Sequence, residues 1–185
     1  MRRHEEQHFR DFAAQEAAAL RRTAYLLCGD WHLAEDLMQS VLIKVYRHWS
    51  RLERRDALQP FVRRVLLRTW LDEKRKPWRR AEQSFATLPE VIDPAPGPDQ
   101  AADRMHTRAV VRHALLQLPP GQRAALVLRF FDDLSVSDTA AAMRCSEGNV
   151  KSQTARGLST LRRHLGLNRN PQPAAGGVWQ HGWAS

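Results

Sequence analysis

Asn149, Ser152, Gln153 and Arg156 recur at intervals of three and four residues, so on an α-helix two amides, a hydroxyl and a guanidinium share one face. Such groups hydrogen-bond base edges and phosphates, and the chemistry this face offers is recognition of duplex nucleic acid in a major groove. Val150, Thr154, Leu158 and Leu161 fall on the opposite face, which would lock the helix onto a neighbour. Groupings that could support catalysis are weaker. Asp132-Asp133 and Glu35-Asp36 are adjacent pairs, and neighbours in sequence do not face one another on a helix. His4 and His8 have metal-compatible spacing but no third ligand accompanies them. No glycine loop that could cradle phosphate is present, and no Ser/His or Cys/His nucleophile context. The expectation is a protein without enzymatic activity, cofactor or metal.

A reading helix must be held by a second helix, and the stretch from Ser135 to Arg163 supplies both. Ser135 is placed to cap a first helix, with Asp138 three residues on. Ala140, Ala141 and Ala142 keep that helix thin enough for close approach. Arg144-Cys145 interrupts it, Ser146 can cap the next helix, and Glu147 is favourable near its positive end. This pattern is a helix-turn-helix with Asn149 to Arg156 as its reading segment. Gly157, inside the second helix, is unfavourable by about 1 kcal/mol relative to alanine, which points to close approach of a neighbouring helix or of DNA.

Upstream, helical periodicity recurs. Phe9, Phe12, Leu20, Ala24 and Leu27 form an apolar stripe that ends at Gly29, and Asp30 can cap the helix after it. Leu33, Leu37, Met38, Val41, Leu42, Val45 and Trp49 mark a long amphipathic helix from Trp31 to Trp49. A polar loop from Glu53 to Gln59 leads to a third helix, Phe61 to Lys76, with Arg63, Arg64, Arg68 and Arg75 on its outer side. Further helices are expected from near Met105 to Pro119 and from Gly121 to Phe131. No alternating strand pattern of useful length occurs. The predicted fold class is all-α: two small helical domains, residues 8–78 and 105–166, the second a helix-turn-helix. Between them, residues 79–104 read as a flexible linker rich in acid and proline, and residues 167–185 as a disordered tail bearing Trp179 and Trp183.

Composition agrees with an anionic partner. The 185 residues carry a formal charge of +9 and a pI of about 10.7. The excess is local: residues 51–80 hold eleven Lys/Arg against four Asp/Glu, whereas residues 81–103 hold five acids and no base. No apolar run approaches the ~18 residues of a membrane span, and MRRHEEQHF lacks the apolar core of a secretion signal, so the cytoplasm and no membrane association are expected. Cys28 and Cys145 stand far apart with no CxxC partner and read as small buried apolar groups.

Three segments together, AEDLMQSVLIKVYRHW, PFVRRVLLRTWLDEKRK and LPPGQRAALVLRFFDDLSVSDTAAAMRCSEGNVKSQTARGLSTLRRHL, resemble a bacterial RNA polymerase sigma factor of the sigma-70 family. The small two-domain layout resembles the extracytoplasmic-function (ECF) class and its SigE-like branch. The resemblance implies a promoter-specificity subunit with core RNA polymerase and promoter DNA as partners, and an anti-sigma factor as a further one. It implies that Asp36, Leu37, Gln39, Ser40, Ile43, Lys44 and Arg47 form the face that docks on core polymerase. It also implies that Arg63, Arg64, Arg68, Trp70 and Arg75, with the loop Glu53–Gln59, open and capture the −10 element; cations for a backbone and an aromatic surface for a base suit that task. Lys74 and Lys76 extend that charge. Trp70 is equally well placed as a core residue. Ser146, Asn149, Lys151, Ser152, Gln153, Ala155 and Arg156 would then read the −35 element, with Arg162 and Arg163 on its backbone. The loop ERRDALQ lacks the glycine often found there in the family.

The rival reading is a self-sufficient transcription regulator whose first half senses a ligand or dimerises. Both readings share the helix-turn-helix. They differ in the first domain, where a sensor needs a pocket and a sigma subunit needs a docking face and a cationic helix.

Overall fold

The computed structural model describes residues 3–52, 58–75 and 100–167. Among the described residues all regular structure is helical: α1 (Arg3–Cys28), α2 (Trp31–His48) with a 3-10 turn at Trp49–Arg51, α3 (Leu58–Arg75), α4 (Gln100–Leu116), α5 (Pro120–Phe130), α6 (Val136–Met143) and α7 (Glu147–His164). The loop at 53–57, most of the expected linker and the tryptophan-bearing tail lie outside the described residues.

Helix ends follow local chemistry. α1 starts six residues before the expected Phe9, because Glu5 and Glu6 favour the positive end of the helix and Glu6 pairs with Arg10 at 2.7 Å. Gly29, at φ +78, closes α1 through a hydrogen bond from its N–H to the Tyr25 carbonyl at 2.8 Å. Asp30 then caps α2, its carboxylate accepting from the Leu33 N–H at 2.7 Å. α3 takes in Leu58 and Gln59, which the sequence pattern assigns to the loop; Pro60 falls in its first turn, where a missing N–H costs nothing. α4 likewise begins at Gln100, so the expected linker gives up its last residues to a helix. Pro120 opens α5, one residue earlier than expected, in the position proline favours.

Leu20, Ala24 and Leu27 of α1 meet Leu37, Val41 and Val45 of α2 and Val62, Leu66 and Trp70 of α3 in a buried core. That core does not stop at the first half. Ala124, Val127 and Leu128 of α5, Leu134 and Ala142 of α6 belong to the same cluster, and a smaller cluster of Leu115, Leu118 and Leu126 sits beside it. The two halves therefore pack against one another, α3 on α6 and α1 on α4 and α5.

Arg123 lies at this junction and is 6% exposed. Its guanidinium donates to the Leu27 carbonyl at the end of α1 (2.6 Å), and to the Leu116 and Leu118 carbonyls (the latter at 3.1 Å) at the end of α4. Helix C-termini leave carbonyls without intrahelical partners, so one side chain serves two ends at once. Burial pulls this guanidinium down to about 10, so it stays charged at neutral pH. The neighbouring Cys28 thiol, which donates to the Asp30 carbonyl at 3.1 Å, is pushed up to about 12 by burial and stays protonated.

Candidate nucleic-acid and polymerase interfaces

The reading helix is built as its sequence requires. The Ser146 hydroxyl accepts from the Asn149 N–H at 3.2 Å, and in α6 the Ser135 hydroxyl accepts from the Asp138 N–H at 2.9 Å while donating to the Asp138 carboxylate at 2.6 Å. Arg144 makes the turn between the two helices in the left-handed conformation, φ 54. Val150 is buried, and Gly157 lies so close to α5 that an added Cβ would sit 3.1 Å from Leu126. That settles the odd glycine: it lets α7 approach a helix, not DNA. Of the expected −35 readers, Ser146, Asn149, Lys151, Ala155 and Arg156 are exposed, and Ser152 and Gln153 are half-buried. The Gln153 amide lies against Gly121 at the start of α5.

On α3 the expected cationic surface is smaller than the sequence suggested. Arg68 and Arg75 are exposed, the latter 3.9 Å from Asp72. Arg64 is half-buried and donates to the Ala141 carbonyl of α6 at 3.0 Å. Arg63 is not on the surface: it is 4% exposed, bonded to Asp132 at 2.9 Å and 3.5 Å from Glu16. Trp70, at 1% exposure, is core, with Lys74 and Arg123 over its ring at 5.5 and 5.8 Å. Both residues are withdrawn from solvent because α3 is covered by the helix-turn-helix half as well as by its own. Burial and the charge of Arg123 hold the Lys74 ammonium below its ordinary range. The loop 53–57 and Lys76 lie outside the described residues.

On α2, Asp36, Gln39, Ile43, Lys44 and Arg47 are exposed and Ser40 is half-buried, a continuous polar-apolar stripe. Ile43 is 54% exposed, unusual for a large apolar side chain. Leu37 does not belong to this face; it is 1% exposed and packs in the core, in step with Leu33 and Val41. Tyr46, 41% exposed and stacked edge-on against Phe9 at 4.9 Å, extends the face and was missed in the sequence. Its position one turn from Ile43 and beside Arg47 was the available signal. Lys44 turns aside to donate to the Thr69 hydroxyl at 2.8 Å, tying α2 to α3.

A groove of about 970 Å³ runs between α3 and the helix-turn-helix, lined among others by Arg64, Arg68, Arg75, Arg144, Asn149 and Gln153. Its wall is cationic and it has no enclosed chemistry: among the described residues no three His, Cys, Asp or Glu side chains converge. Among them too, no helix is long and apolar enough to cross a membrane.

Residues 12–80 match the model of sigma-70 region 2 and residues 108–161 that of sigma-70 region 4. The chain is 33% identical to the RNA polymerase sigma-E factor of Streptomyces coelicolor over 157 residues, 85% of each chain. It is 30% identical to the ECF RNA polymerase sigma factor SigX of Bacillus subtilis, over 78% of this chain and 77% of that one. Among solved structures, it is similar to the sigma factor RpoE of Bartonella quintana, determined with the anti-sigma factor NepR, at a TM-score of 0.71 and 26% identity over 88% of this chain and 99% of that one. CnrH, determined with the cytosolic domain of CnrY, shares the fold at a TM-score of 0.62 and 17% identity, over 88% of this chain and 90% of that one. Both halves are thus accounted for by sigma regions, which leaves no first-half sensor for the rival regulator reading. The chain belongs to the sigma-70 family of RNA polymerase sigma factors, in its ECF class, and is a promoter-recognising sigma subunit.

Proposed function

We propose that this chain binds core RNA polymerase through the α2 face and directs it to promoters in the cytoplasm. In this reading α7 reads the −35 duplex and the exposed cations of α3 engage the −10 element. The observation that carries this is the pair of unlike surfaces on one chain: a polar reading helix capped by Ser146 and anchored by Val150, and an α2 stripe with Ile43 and Tyr46 exposed among charges. The first suits base edges and phosphates; the second suits a partner helix. Asn149, Ser152 and Gln153 contact bases, Ala155 meets a thymine methyl, and Lys151 and Arg156 meet phosphate or guanine. On α3 the role falls to Arg64, Arg68 and Arg75, since Arg63 and Trp70 are internal in this packing. The polymerase does the chemistry; this chain supplies address. An anti-sigma factor is a third partner, in line with the relative solved with NepR.

In vitro transcription with purified core polymerase and a promoter library tests this. Addition of the chain is expected to produce initiation at a defined subset of promoters. Arg156→Ala should reduce that initiation about 5- to 150-fold, the equivalent of ~1–3 kcal/mol for one good contact, while binding core polymerase as before. No promoter-dependent initiation from any member of the library would refute the reading.

A further inference from the structure

We infer that Arg144, in the turn between α6 and α7, grips a phosphate of the −35 duplex and so seats the reading helix, and that the turn carries backbone strain to keep an arginine there. The inference rests on the reading of α7 as the −35 reader.

The turn itself does not call for this residue. Four of the described residues have positive φ: Gly29, Asp133, Arg144 and Gly166. Glycine meets no steric penalty in that conformation, and aspartate visits it because its short side chain can bond locally. Arginine has neither advantage. At φ 54 and ψ 49 its Cβ crowds the backbone, at the kind of helix end that Gly29 closes for α1. The bonds that shape the turn are indifferent to the side chain as well. The N–H groups of Arg144 and Cys145 both donate to the Ala140 carbonyl, the second at 3.1 Å, and a glycine at 144 would make the first equally well. Nothing local accounts for the arginine, and an outlier of this kind points to a task outside the fold.

The side chain is placed for such a task. Arg144 is exposed, and among the described residues nothing bonds or pairs with its guanidinium. Other arginines are committed inside the protein: Arg63 to Asp132, Arg64 to the Ala141 carbonyl, Arg129 to the Leu134 carbonyl. Arg144 stands two residues ahead of the Ser146 cap and lines the same groove as Asn149 and Gln153. When those two amides face base edges, a cation just ahead of their helix lies toward the rim of the DNA groove, where the phosphates run. A guanidinium meets phosphate with two parallel N–H groups, which fixes direction as well as distance. Such a contact carries no sequence information; it sets the register in which the amides meet the bases.

Arg144→Gly separates this role from a structural one, because the two give changes of opposite sign. The free variant should keep its thermal midpoint or gain up to about 4 °C, since the strain is relieved. Its holoenzyme should bind every promoter of a panel about tenfold more weakly or worse, with the slope of log affinity against log salt reduced by about one. Arg144→Asn, which also tolerates this φ, should lose as much, and Arg144→Lys should recover the salt slope. A midpoint lowered by more than about 4 °C in the glycine variant would make Arg144 a structural part of the turn and overturn the proposal. So would a loss confined to promoters with one particular base, which would make it a base reader. Unchanged affinity and slope, while Lys151→Ala lowers both in the same assay, would overturn the grip and leave the −35 reading intact. If Lys151→Ala and the pair Asn149→Ala, Gln153→Ala were silent too, the reading of α7 would fall and this proposal with it.

Discussion

Replacing Arg123 with methionine should destabilise the protein by about 3–5 kcal/mol, read as a fall of about 10 °C or more in the thermal midpoint. Arg123 is 6% exposed, and its guanidinium satisfies carbonyls at the ends of both α1 and α4. A hydrogen bond to a charged group contributes roughly 1.5–3 kcal/mol net, and a buried carbonyl left without a partner costs about 1–3 kcal/mol. Methionine fills much of the volume and removes the cost of burying a charge, which is why the expected loss is below the simple total of those bonds. Arg123→Lys should recover little, because an ammonium is a compact point charge and lacks the planar fork that reaches carbonyls on two helices. A midpoint within about 2 °C of the unaltered chain would show that the carbonyls find water or other donors, and that the two helix ends do not depend on this side chain.

The larger functional effect is expected from the double substitution Asn149→Ala, Gln153→Ala. Each amide can make a bidentate contact with a base, valued at roughly 1–3 kcal/mol of discrimination, so losing both should lower initiation at the preferred promoters by about 100-fold or more. The ranking of promoters should flatten, since the discriminating contacts are gone while the phosphate contacts remain. Lys151→Ala provides the contrast. It should weaken all promoters by a similar factor and reduce the slope of binding against salt by about one, the signature of a lost phosphate contact. Both variants should bind core polymerase normally, because the substituted residues belong to α7 and the α2 stripe of Asp36, Gln39, Ile43 and Arg47 is left unaltered. A double variant that still ranks promoters as the unaltered chain does would mean that other residues read the bases.

Much of this architecture was legible in the residues. The caps at Ser135 and Ser146 and the glycine stop at Gly29 are local devices, and a few neighbouring residues specify each one. The stripes of Leu33, Val41 and Val45 and of Leu20, Ala24 and Leu27 became core, because periodicity alone decides which face of an amphipathic helix turns inward. Leu37 obeys the same periodicity, and its place on the docking face came from the resemblance, which carried an apolar core position over with its polar neighbours. Arg63 could not be read correctly from its surroundings. An arginine beside Arg64 on a basic helix reads as surface, and only the acid at position 132 and Glu16 make its burial tolerable. Nothing near position 63 encodes that pairing. Trp70 was balanced between core and surface for the same reason: the groups that cover it, Arg123 included, come in part from the other half of the chain. The junction itself joins segments on either side of a stretch rich in acid and proline, and the break in composition there suggested separate modules. Contacts of long sequence separation are where a single chain's pattern says least.

The central claim is that two surfaces of one chain grip two segments of the same promoter once polymerase is bound. Photo-crosslinking in the reconstituted holoenzyme tests it most directly, with one probe at Lys151 on α7 and another at Arg68 on α3, mapped on a promoter that the holoenzyme fires. The expected result is adducts from Lys151 in the −35 duplex and from Arg68 in the −10 segment, both dependent on core polymerase. Adducts from both probes within a single segment, or the same map obtained from the free chain, would contradict the account.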